Sequence, residues 1–230
     1  MRKALIIGGT RTFGKEVALA FKEKGFEVQT IGRTAPDFAV DRHHTYDLID
    51  KNERKTFFKY LLSNNAFSDI VCIVGYARSQ KESNVNYSRE LNVEYVRELF
   101  EICQEIESVR NIITIGSQWS FTRGFDALED YINAKHELKD MSIEYAHESR
   151  ARVNHYCVPT MQTNQLEKVV SSFGRTGIAF KTSSDVLQEP RDIARTLVQF
   201  DQANQPNGNV YFIPCANVVR QVLDDQVCAK

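Results

Sequence analysis

The chain has almost no net charge, since its 29 lysines and arginines stand against 30 aspartates and glutamates over 230 residues. A surface without an excess of either sign offers no long-range attraction for nucleic acid or an anionic membrane, so neither is expected as a partner. Long apolar runs are missing too. Nothing approaches the roughly 18 consecutive apolar residues of a spanning helix. The opening run Ala4-Leu-Ile-Ile7 is broken by Gly8-Gly9 before it reaches the length of a secretory core, which points to a cytoplasmic chain. The five cysteines (Cys72, Cys103, Cys157, Cys215, Cys228) form no Cys-x-x-Cys pair, and the five histidines, His43-His44 included, have no His-x-x-x-His spacing. No metal site is expected from that pattern, and the scattered thiols read as reduced, small packing residues. Internal repeats and low-complexity segments are also lacking. What is present is 42% hydrophobic and 26% charged residues, enough for a proper core and a size suited to one domain over residues 1–230.

Short apolar runs alternate with helical periodicity. Strands are expected at 3–7, 26–31, 43–48, 69–75, 111–116, 151–158 and 209–213. Helices are expected at 15–24, 51–62, 86–107, 126–147 and 190–201, the last with Pro190 at its first position. Strands apolar on both faces and separated by helices imply a doubly wound parallel α/β sheet of Rossmann type. The stretch 160–188 is the least regular and reads as a mobile substrate loop.

Two features carry chemistry. Gly8-Gly-Thr-Arg-Thr-Phe-Gly14 lies between the first strand and the first helix, where glycines let backbone amides approach a pyrophosphate and a helix N-terminus favours its charge. Taken alone, such a loop is equally a tight strand-to-helix turn. Farther on, Tyr131-Ile-Asn-Ala-Lys135 places a phenol and an ammonium one helical turn apart, with Ser117 fourteen residues before the tyrosine at the end of an apolar strand. An adjacent cation makes a phenol more acidic, and ligands gather at the carboxyl ends of parallel strands. A Tyr and a Lys four apart are common on any helix, so it is their position that matters.

These residues together resemble the short-chain dehydrogenase/reductase family over nearly the whole length. The family's Gly-x-x-x-Gly-x-Gly motif maps onto Gly8, Thr12 and Gly14, with Thr12 in place of the middle glycine. In the Gly-x-x-Gly-x-x-Gly form of the longer-chain branch, Arg11 replaces it instead. The Ser-Tyr-Lys set maps onto Ser117, Tyr131 and Lys135, and the family's helix asparagine onto Asn92. Val153-Asn154 leading to Val158-Pro159-Thr160 resembles the segment after the catalytic helix, and Thr163 falls where a threonine contacts the nicotinamide end. Asp47 matches an adenine-contacting aspartate. Val74-Gly75-Tyr-Ala77 stands where the short branch carries Asn-Asn-Ala-Gly.

The resemblance implies a catalytic set of Ser117, Tyr131, Lys135 and Asn92. It implies a cofactor site of Gly8, Thr10, Arg11, Thr12, Phe13, Gly14, Arg33, Asp47, Gly75, Tyr131, Lys135, Pro159 and Thr163. No acid ends the second strand. Ile31-Gly-Arg33-Thr offers a guanidinium there, and Arg11 is a second, so NADP(H) is expected rather than NAD(H). The implied activity is hydride transfer between NADP(H) and a small carbonyl or alcohol, as a ketone or aldehyde reductase. The alternatives are an NADP(H)-binding sensor without turnover and a nucleotide-sugar epimerase or dehydratase. Trp119, Phe121 and Phe125 are equally candidates to line the substrate pocket or to pack at the mouth of the sheet. By the same resemblance, assembly is expected as a homodimer or homotetramer, with Leu138, Met141 and Ile143 contributing.

Overall fold

The computed structural model describes residues 1–75, 85–118, 128–159, 161, 188–203 and 205–213. Its strands are β1 (Lys3–Ile7), β2 (Glu27–Gly32), β3 (Arg42–Thr45), β4 (Asp69–Cys72), β5 (Asn111–Ser117), β6 (Arg152–Val158) and β7 (Val210–Phe212). The helices are α1 (Thr12–Glu23), α2 (Lys51–Ser63), α3 (Val85–Arg89), α4 (Tyr95–Cys103), α5 (Glu129–Glu148) and α6 (Pro190–Asp201), with a π-helical turn, Glu90–Glu94, between α3 and α4. All strand pairs are parallel, in the order β3-β2-β1-β4-β5-β6-β7. The order reverses between β1 and β4, which opens a crevice at the carboxyl ends of the strands.

The central strands β1, β4 and β5 are buried on both sides, as a parallel sheet covered by helices requires, and each side has its own core. Leu5 and Ile7 point into one core with Ile70, Ile112, Leu99 and Leu138. Ala4 and Ile6 point into the other with Ile113, Phe21 and Leu197. Helices α2, α4 and α5 cover the first face. On the second, α1 buries Phe13, Val17 and Phe21, and α6 buries Ile193, Leu197 and Val198. The two helices are also tied by an Arg195–Glu23 ion pair at 2.7 Å.

Three expectations change. The helix foreseen over 86–107 is interrupted by the π-helical turn, where the side-chain amide of Asn92 donates to the Ser88 carbonyl at 2.7 Å and competes for the ladder position of its own N–H. The third strand ends at Thr45 rather than 48, because Asp47 turns back to accept from the Ile49 N–H at 3.2 Å and starts the turn into α2. Leu138 and Met141, expected to serve assembly, are buried within their own protomer's core.

At the amino-terminal edge of the sheet, a buried polar seam joins distant segments. The Asn111 amide donates to Asp69 at 3.1 Å and to Asp201 at 2.8 Å. Asp201 also accepts from Arg152 at 2.9 Å and from the Tyr156 hydroxyl at 3.0 Å. Arg2 closes the seam on Asp69 at 3.0 Å. Removing one member of such a set strands the rest in a low-dielectric interior. Asp201→Ala is therefore expected to destabilise the fold by about 3 kcal/mol, a fall of roughly 6–12 °C in Tm for a chain of this size by calorimetry. An unchanged Tm would show that the seam contributes nothing.

Candidate active site

The candidate crevice starts from a turn that needs its glycines. Gly8 has a φ of 89°. A Cβ on Gly14 would lie 2.0 Å from the Gly8 carbonyl oxygen, so any side chain there would push α1 off the turn. Thr12 adopts a φ of 45° where the family motif has glycine, a conformation a β-branched residue rarely takes. At the start of α1, Arg11 is extended and supplies no side-chain cap, leaving the first N–H groups available to an anion. Arg11, Thr12 and Arg33 are exposed beside this turn. Among the described residues, no hydrogen bond or salt bridge engages the side chain of Arg11 or Arg33. The nearby acid, Asp37, is already paired with Lys15 at 3.0 Å, whose ammonium holds its carboxyl below the usual range. Thr10 packs against the end of β2, its Cγ2 lying 2.8 Å from where a Cβ on Gly32 would be. Phe13 is buried in the core, so only its backbone could meet a ligand.

The predicted chemical set converges at the carboxyl ends of β4 and β5. Ser117 is the last residue of β5, and its hydroxyl lies near enough to the Tyr131 phenol of α5 to lower its pKa. One turn along α5, the Lys135 side chain is buried and its ammonium donates to the Ile115 carbonyl at 2.9 Å. Its Nζ lies 5.8 Å from the Tyr131 ring centroid. Gly75, after β4, is the meeting point of two further groups. A Cβ there would sit 3.3 Å from both the Asn92 Oδ1 and the Lys135 Nζ. Asn92 and Lys135 are thereby brought together from different helical segments over a backbone that carries no side chain.

Burial dominates the electrostatics. It pushes the Tyr131 phenol above its ordinary value, and the neighbouring Ser117 hydroxyl opposes it in part. The same burial brings the Lys135 ammonium down to about 8. Before a ligand arrives, therefore, the lysine has not made the phenol more acidic. Asp47 is exposed on the turn after β3, and Pro159 is buried just after β6. Thr163, Trp119, Phe121, Phe125 and nearly all of 160–188 lie outside the described residues.

Sequence reading missed the supports behind this set. Arg54 of α2 is buried and reaches the Leu48 carbonyl at 2.5 Å, Glu98 at 2.6 Å and Glu90 at 3.3 Å. It thus ties the turn after Asp47 to the π-helical turn that carries Asn92. Nothing local marks Arg54, since its carboxylate partners lie 36 and 44 residues along the chain. Cys157, beside Tyr131 on β6, is buried and reads as packing.

No protein-family model and no curated protein matches the chain. Solved structures do. A short-chain dehydrogenase family protein from Francisella tularensis superposes with a TM-score of 0.77 at 20% identity, covering 93% of this chain and 97% of that one. The RhlG/NADP active-site complex of Pseudomonas aeruginosa gives 0.76 at 18% identity, over 92% and 94%. A short-chain dehydrogenase from Leptospira borgpetersenii with bound NAD+ gives 0.74 at 16%, over 92% and 91%. The chain has the fold of the short-chain dehydrogenases. No helix among the described residues is long and apolar enough to cross a membrane.

A buried ammonium destabilises the protein that holds it. Unfolded, Lys135 keeps its proton up to its ordinary value of 10.5; folded, it releases it near 8. The unfolded state therefore binds more protons between those values, and stability rises with pH across that window. Lys135→Met is expected to raise stability near neutral pH by about 2 kcal/mol. The gain over the parent should shrink as pH rises from about 8 to 10.5. Thermal melts across pH read both; a variant less stable at neutral pH would contradict the assignment.

Proposed function

We propose that the chain is an NADP(H)-dependent oxidoreductase of the short-chain dehydrogenase type that reduces a ketone or aldehyde. The observation that carries the reading is the convergence at one strand end of a Ser117–Tyr131 hydroxyl pair with the buried Lys135 amine and the Asn92 amide. A sheet with this fold could place any residues at that crevice; these four are the ones its proton chemistry requires.

The residues present fit a dinucleotide. The Gly8–Gly14 turn and the uncapped start of α1 suit its pyrophosphate, and exposed Arg11 and Arg33 suit a 2′-phosphate. Asp47 would face the adenine end, and Gly75, Pro159, Tyr131 and Lys135 the nicotinamide half. Bound there, NADPH supplies the hydride. The Tyr131 hydroxyl gives its proton to the carbonyl oxygen, and Ser117 holds that oxygen by hydrogen bond as negative charge develops on it. The Lys135 ammonium lowers the phenol's pKa once a ligand has displaced water from the site, and Asn92 holds the route by which a proton returns to it. Among solved proteins with this fold are three that hold NADP or NADPH and one that holds NAD+. The two arginines, with Asp37 held by Lys15, favour the phosphorylated cofactor here. A homodimer or homotetramer is the assembly this reading carries with it.

Tyr131→Phe should lower the rate of NADPH consumption with a responsive carbonyl by at least about 1000-fold and leave the NADPH Kd within about threefold. Turnover that survives this change would sink the mechanism, whereas tight NADPH binding with no consumption across a carbonyl panel would identify a sensor. Arg33→Ala should weaken NADPH binding about tenfold and leave NADH binding unchanged, as read by fluorescence titration. Equal losses for the two cofactors would remove the basis for the 2′-phosphate assignment.

A further inference from the structure

Behind Ser117 lies a histidine that the mechanism does not use. His155 of β6 is 1% exposed and faces α5. Its Nδ1 lies 2.9 Å from the Thr114 hydroxyl, which lies 2.9 Å from the Ser142 hydroxyl. Ser142 in turn donates to the Leu138 carbonyl at 2.6 Å. A hydroxyl has one proton to give. The Ser142 proton is committed to Leu138, so the Thr114 proton must go to Ser142, and the proton between Thr114 and the ring must come from Nδ1. The chain of bonds therefore runs one way, from ring to helix, and fixes His155 as the tautomer protonated on Nδ1.

The other nitrogen, Nε2, is left with a bare lone pair. It is buried and, among the described residues, has no hydrogen-bond partner. It is directed at Gly116, the residue before Ser117, and a Cβ built on Gly116 would lie 2.1 Å from it. The ring therefore fills the volume that a side chain at 116 would occupy. The cations that act on it are Lys135 and Lys139, both on α5, and burial holds its own pKa down at about 3. Among its neighbours on the strands, Thr114, Gly116 and Cys157, only the cysteine is titratable.

We propose that His155 is a positioning residue for the catalytic set. Its ring seats the Gly116–Ser117 end of β5, and the Thr114–Ser142–Leu138 chain holds the ring so that its unprotonated nitrogen faces that strand end. This rests on the oxidoreductase reading for its catalytic consequence, but not for its geometry.

The geometry is tested first, without turnover. Long-range 15N–1H NMR of histidine-labelled protein should show Nδ1 protonated and Nε2 unprotonated at about pH 6 to 8. A proton on Nε2 would overturn the assignment. Gly116→Ala should lower Tm in the parent but leave it nearly unchanged in a His155→Ala background; an equal fall in both would show that the ring is not the constraint. For catalysis, Thr114→Val removes the acceptor and Thr114→Ser restores it. With a carbonyl that the parent reduces, Thr114→Val should lower kcat about tenfold at an unchanged NADPH Kd, and Thr114→Ser should stay within about threefold of the parent. Parent-like kcat in Thr114→Val would overturn the positioning role. A parent that consumes no NADPH, with the NMR and melting results as expected, would instead defeat the oxidoreductase reading and leave the His155 geometry standing.

Discussion

The site depends on one expensive placement, an ammonium held inside the seam between α5 and β5. Lys135 is 3% exposed, and its direct hydrogen bond goes to the Ile115 carbonyl. An ion in that position is disfavoured unless its surroundings are arranged around it. Those surroundings are the rest of the site. The absence of a side chain at Gly75 leaves room for the amine beside the Asn92 carbonyl oxygen, and the absence of one at Gly116 lets the strand approach the His155 ring. The instability that the amine introduces is the kind that functional sites retain and the remaining fold must offset.

The fold supplies that offset at its opposite end and along its flank. The seam through Asp69, Asn111 and Asp201 joins the starts of β4 and β5 to the end of α6, far from the crevice. Along the flank, Arg54 draws the turn after β3 and the π-helical turn against α2. The Asp47 side of the crevice and the Asn92 side thus share one buried guanidinium. In a doubly wound sheet, functional groups come from loops and helix starts separated in sequence, and links of this kind hold them in register.

Much of this was legible in the chain. Unbroken apolar runs such as Ala4–Ile7 and Ile70–Val74 specify strands covered on both faces, hence a parallel sheet. Tyr131 and Lys135 were legible because helical spacing alone puts them on one face, and Ser117 because the apolar run before it ends there. The π-helical turn was not legible. It depends on a side-chain amide competing for the Ser88 carbonyl and on Arg54 from another helix, and neither leaves a mark in local periodicity. His155 escaped notice for a related reason, since its meaning lies in a cross-strand vacancy at Gly116 and in hydroxyls from two other elements. The length of β3 was misjudged because apolar Leu48 follows Asp47, whose carboxylate turns the chain away.

Lys135 is a buried amine whose burial, not its partners, sets its proton affinity. The most direct measurement is its titration in the ligand-free protein, by NMR of lysine labelled at Cε, with Lys135→Met assigning the resonance. A buried amine should titrate with a midpoint near 8; a midpoint at the ordinary value of 10.5 would mean that the amine is solvated and that the site is not built around its burial.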